Sequence, residues 1–161
     1  MRFIYLLLLV AVVYSCPREQ RETTAHYGSA PTISEAFDTR FFASLHQVET
    51  SGSLSPPRGD GGRARGPLQI HSTYFDDARE HNRARGYRWF PAATVYSECD
   101  DLAISRGVVR AYMDRYAASA WARGDAAHCA RVHNGGPRGA TKRSTDAYAA
   151  KFMRVFTGSS P

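Results

Sequence analysis

Cysteine is scarce in this chain. Three are present among 161 residues, Cys16, Cys99 and Cys129. No CxxC pair and no Cys/His cluster occurs, which argues against a zinc site or a dithiol redox motif. No metal and no organic cofactor is expected. Internal repeats, heptads and low-complexity tracts are lacking too, which excludes solenoids and coiled coils. Long apolar runs are missing except for the first fifteen residues, MRFIYLLLLVAVVYS. That run is short for a membrane span, which needs roughly 18 residues or more.

What the run does resemble is a secretory signal: one early arginine, an apolar stretch, then small residues. Residues 1–15 are therefore expected to be a signal peptide and the protein to be secreted. The alternatives are a retained N-terminal anchor or a lipidated Cys16, either of which would give it a stable membrane partner. Residues 16–31 lack an apolar period and read as a linker. Residues 32–161 are left as one domain, because 43% hydrophobic and 12% aromatic residues in this length fill one core rather than two. In an oxidising compartment Cys99 and Cys129 are expected to form a disulfide. The net charge of +6 favours anionic partners. The basic residues are scattered, however, with no aromatic-interleaved basic motif, so no nucleic-acid partner is expected.

The pattern within the domain is mainly helical. Ile33, Phe37, Phe41, Leu45 and Val48 recur at three and four residues and predict an amphipathic helix ending near Glu49. A glycine- and proline-rich stretch over 50–66 predicts a loop or a small strand-and-turn region. STYFDDAREHNRA predicts a second helix capped by Ser72 or Thr73, with Tyr74, Phe75 and Ala78 facing inward. SRGVVRAYMDRYA predicts a third capped by Ser105, and DAAHCARV a fourth capped by Asp125 and stopped by NGGP. STDAYAAKFMRVF predicts the last, capped by Ser144, with Tyr148, Phe152 and Val155 on one face. The fold class is thus α+β and mainly helical, its irregular or β part lying between the first two helices.

Two carboxylates invite a chemical reading. Glycosidic cleavage needs an acid to protonate the leaving oxygen and a second carboxylate to attack or to activate water. Glu49, where an apolar helix face meets a loop, is expected to be partly buried and so raised in pKa. Asp60, in a Gly-Asp-Gly turn, would be polar and wet. From pattern alone, a helix-end charge and a turn-former explain the two residues better than a catalytic pair does, and Asp38, Asp76, Asp77, Glu80, Glu98, Asp100 and Asp101 compete for the same roles.

The order HQVETSG, GDGGRARGPLQIHSTYFDDA, VVRAYMDRYA, CARVHNGGPRG and STDAYAAKF resembles the invertebrate-type, or destabilase-like, lysozyme family from about Phe41 to Val155. The resemblance implies a lysozyme-like fold and a muramidase that hydrolyses the β-1,4 bond between N-acetylmuramic acid and N-acetylglucosamine in bacterial peptidoglycan. It casts Glu49 as general acid/base and Asp60 as nucleophile or ion stabiliser. Gln69, Ile70, Tyr74, His133, Asn134 and Gly135 would line the sugar groove, with Tyr74 stacking on a ring. The chain departs from the family in cysteine content: typical animal members are dense in cysteine, and here Ala64 or Arg65 before GPLQI and Ala140 after NGGPRG stand at such positions. Two alternatives stay open, a lytic transglycosylase using Glu49 alone and a cell-wall-binding protein without catalysis.

Overall fold

The computed structural model of the chain describes residues 33–158. The expected signal segment, the linker and Cys16 lie outside the described residues. Helix α1 covers Ile33–Thr50, and two short strands, β1 (Ala64–Arg65) and β2 (Ile70–His71), follow it. Then come α2 (Ser72–Ala84), α3 (Leu102–Tyr116), α4 (Ala118–Ala122), α5 (Ala126–Gly135) and α6 (Asp146–Thr157). The strands pair antiparallel, Ala64 with His71 and Arg65 with Ile70. The architecture is the mainly helical α+β, lysozyme-like arrangement expected, with its small β element between α1 and α2. Among the described residues no helix is long and apolar enough to cross a membrane.

The stripe on α1 is buried as its spacing requires: Phe41 and Leu45 are fully enclosed and Val48 nearly so. Around them an aromatic cluster joins α1, α4 and α6. Phe41 packs edge-on against Trp121 with centroids 4.9 Å apart and lies 5.1 Å from Phe152. The Trp121 indole donates to Asp38 Oδ1 at 2.9 Å, so its polar end is satisfied as well. Each enclosed side chain of this size contributes about 1.5–3 kcal/mol. From α3, Val108, Val109 and Met113 complete the centre.

Helix ends differ from the sequence reading in instructive ways. Helix α2 has the expected span, but its cap position is His71 and no side chain bonds the free amides there. Helix α3 starts three residues earlier than expected, at Leu102, because Asp101 accepts from the Ile104 amide. Ser105, expected as the cap, is instead buried, its hydroxyl donating to the Cys99 carbonyl at 2.6 Å. Asp125 does cap α5 through the His128 amide. Helix α6 follows a short 3-10 turn over Arg143–Thr145 and has no side-chain cap, so Ser144 does not serve as one. On α6 the inward face is Tyr148, Ala149, Phe152 and Phe156, whereas Val155 is more than one-third exposed.

The expected disulfide is corrected: Cys99 and Cys129 are both buried free thiols. They have different surroundings, Arg65 and Asp100 near Cys99, Asp125 and Arg110 near Cys129. Burial pushes each thiol up to about 12. Both therefore behave as small neutral core residues, and ordinary packing does the work of a covalent staple.

Candidate active site

Glu49 is the penultimate residue of α1. Just beyond it the chain leaves the helix through left-handed Ser51 and Gly52, whose amides return to the Gln47 and His46 carbonyls. That is a common way for a helix to satisfy its last carbonyls. Thr50 fixes the exit to the loop opposite, its hydroxyl lying 3.0 Å from the Pro67 carbonyl. The Glu49 side chain is consequently held at the mouth of a cleft, 16% exposed.

The loop that carries Asp60 is folded back by backbone that glycine makes accessible. Asp60, Gly61 and Gly62 all have positive φ, a conformation that aspartate tolerates and glycine adopts freely. Gln69 bridges the loop to the turn after β1: its amide donates to the Gly66 carbonyl at 2.9 Å and lies 3.4 Å from that of Pro57. A Cβ on Gly59 would lie 2.1 Å from Gln69 Oε1, so any side chain there would push the Gln69 amide aside. Asp60 itself is half-exposed and meets Arg63 at 2.9 Å and His71 Nε2 at 3.5 Å.

Helix α5 supplies the opposing wall. His133 is nearly buried, with Nε2 3.3 Å from Glu49 Oε1 and Nδ1 3.3 Å from the Tyr74 hydroxyl. With the Nε2–H tautomer, His133 donates to the carboxylate and accepts from Tyr74. Helix α6 contributes a second donor, because the Tyr148 hydroxyl donates to the same Oε1. Lys151, one turn on, donates to the Val48 carbonyl at 2.8 Å. Glu49 and Asp60 thus open onto one cleft of about 230 Å³, shared with Gln69, His71, His133 and Asn134.

The electrostatics correct one expectation. Burial does raise the Glu49 carboxyl, as the sequence suggested, but the neighbouring His133 ring, the Tyr148 hydroxyl and the Lys151 charge together outweigh it. Glu49 consequently lies below the ordinary carboxyl value. Burial and the Glu49 charge push the Tyr148 hydroxyl well above the usual phenol range, so it stays a neutral donor. A hollow of about 390 Å³ on the outer face of α2 is larger than the cleft. Its charged side chains, Asp76, Arg79, Glu80 and Arg83, are solvent-facing or half-exposed, and none has the enclosed, converging groups that surround Glu49.

Glu49, Asp60, Gln69, His133 and Asn134 are therefore brought together. Ile70, Tyr74 and Gly135 are not cleft walls. Ile70 is in the core at 1% exposure, since strand alternation turns it inward and its neighbour His71 outward. Tyr74 is buried, its ring stacked on Tyr112 at 3.6 Å, so it supports His133 and has no face left for a sugar. Gly135 closes α5, where a Cβ would strike Thr145 at 2.5 Å. Sequence reasoning missed His71 and Tyr148 as site residues. The alternation of β2 points to the first, while Tyr148 had been read only as a core-facing position.

Comparison with known proteins places the chain in a family. The family model described as Destabilase matches residues 40–155. A lysozyme of Magallana gigas is 33% identical over 86 residues, covering 53% of this chain and 56% of that protein. The chain thus spans about half the length of the curated relative it matches.

Proposed function

The chain belongs to the Destabilase family, and from that premise we propose that it is a peptidoglycan hydrolase of the lysozyme type. Its substrate would be the β-1,4 bond between N-acetylmuramic acid and N-acetylglucosamine. The observation that carries this reading is one cleft holding an enclosed carboxylate, Glu49, and a solvated one, Asp60. Two carboxylates in unlike surroundings are what general-acid glycoside cleavage requires.

In this mechanism Glu49 gives its proton to the glycosidic oxygen as the bond to the anomeric carbon breaks. Asp60 attacks that carbon or shields the oxocarbenium ion, and Glu49 then takes a proton from the incoming water. Retention of configuration follows. At rest Glu49 favours the anion, so the acid form must be promoted. A sugar entering the cleft excludes water from the carboxyl and strengthens the burial effect that already opposes His133. Gln69 reaches the Asp60 loop at the Pro57 carbonyl, and Asn134 offers a polar, exposed side chain to the substrate.

A lytic transglycosylase reading is favoured by one observation: Asp60 is half-exposed and engaged by Arg63 and His71, while Glu49 alone is enclosed. Mass spectrometry of fragments released from purified peptidoglycan separates the two. Hydrolysis adds water and leaves reducing ends, the expected result. Anhydro-muramyl ends would reassign the mechanism to Glu49 alone, and absence of fragments with retained wall binding would favour a non-catalytic protein. Secretion through residues 1–15, as part of the same reading, fits an enzyme whose substrate lies outside cells. The chain's charge of +6 fits an anionic cell wall.

A further inference from the structure

We propose that Tyr148 is the positioning residue of the site: together with His133 it holds one oxygen of Glu49, so that the other alone presents the proton to the cleft. This rests on Glu49 being the general acid. Both ties fall on Oε1, the Tyr148 hydroxyl from α6 and His133 Nε2 from α5. Among the described residues Oε2 has no such tie and is left as the oxygen available to substrate. An oxygen that accepts hydrogen bonds is a poor place for the carboxyl proton, so the acid form carries it on Oε2.

The two donors come from one locked block. At the start of α6, Thr145 is 1% exposed, with its hydroxyl 2.9 Å from the Gly139 carbonyl and 2.7 Å from that of Lys142. Arg131 of α5 reaches both Thr145 and Asp146. Gly135, at the end of α5, has no Cβ because Thr145 occupies that space. Helices α5 and α6 thus approach Glu49 as a unit, and their two donors keep a fixed separation.

The same helix holds the backbone of the acid. Tyr148 and Lys151 are three residues apart and so share a face of α6. The first bonds the Glu49 carboxylate and the second the Val48 carbonyl just before it. The charged and titratable groups that face Glu49 are therefore His133 on α5, Tyr148 and Lys151 on α6, Tyr74 behind His133 on α2, and Asp60 across the cleft.

An NMR titration of the Glu49 carboxyl in the full chain, run beside steady-state cleavage of peptidoglycan, tests the proposal. Tyr148→Phe keeps the ring and removes the donor. The Glu49 midpoint is expected to move to higher pH, and kcat to fall about tenfold with little change in KM. A ring-fluorinated tyrosine at 148, a stronger donor of the same shape, is expected to move the midpoint the other way and to keep turnover. Tyr87→Phe, on an exposed loop, is expected to change neither. A Glu49 midpoint that ignores both changes at position 148 would overturn the positioning role while leaving the hydrolase reading intact. Shifted midpoints in a protein whose wild type releases no fragments would overturn the hydrolase reading, and the positioning role with it.

Discussion

His133 Nε2 lies 3.3 Å from Glu49 Oε1, so the C-terminal ends of α1 and α5 meet at a single carboxylate. That contact sets the sign of the pH dependence. Burial alone would raise Glu49, and the histidine is the largest influence pulling it down. General-acid catalysis needs the protonated form, so kcat/KM is expected to fall as pH rises above the low free-enzyme value. In His133→Asn the burial effect is left less opposed, and this falling limb is expected to move to higher pH. A pH–rate profile of the two proteins checks it, and an unmoved limb would mean that the pair does not govern the acid.

The same carboxylate links stability to pH. A group whose folded pKa is depressed contributes stability that is present above its unfolded value, here the ordinary 4.5, and is lost as pH falls through the lower folded value. Glu49→Gln removes this dependence. Urea melts are expected to show the wild type losing its advantage over the variant as pH drops below that range, and the gap should not widen again there.

The free thiols give a third test. Cys99 and Cys129 are enclosed and raised to about 12, so a thiol reagent should leave these two unlabelled in the native protein and label both on denaturation. The midpoint of thermal unfolding should not respond to reductant. A drop in Tm on reduction would instead reveal the disulfide that the sequence suggested.

Gly66 is a fourth. Its φ is positive, and a Cβ there would sit 1.8 Å from the Cys99 carbonyl oxygen. No side-chain rotation relieves a backbone contact of that kind. Gly66→Ala is expected to cost about 3 kcal/mol or more and, by displacing the turn between β1 and β2, to lower activity beyond what the loss of folded protein explains. Denaturant unfolding and specific activity per folded molecule report the two effects.

Much of the scaffold was legible from hydrophobic spacing. The stripe of Phe41, Leu45 and Val48 is buried as read, and α2 spans Ser72–Ala84. Capping was read less well, because a serine before an apolar run has two uses. Ser105 bonds the Cys99 carbonyl inside the core, leaving the cap to Asp101. Helix α4 was missed since ASAWA offers five residues, no cap and no full period. Glu49 and Asp60 could be singled out only through the resemblance, as their spacing is shared with ordinary caps and turns. Tyr148 lies 99 residues from its partner Glu49, a tertiary contact that no local pattern encodes. For the same reason the burial of Glu49 was foreseeable and its reversal by His133 was not.

The measurement that bears most directly on the two carboxylates acting together is clearance of purified peptidoglycan by wild type, Glu49→Gln and Asp60→Asn, each confirmed folded by its unfolding midpoint. Wild-type clearance with loss of about a hundredfold or more in both variants is the predicted result. Full activity in folded Glu49→Gln would contradict it outright, because the enclosed carboxylate of the cleft would then be a bystander.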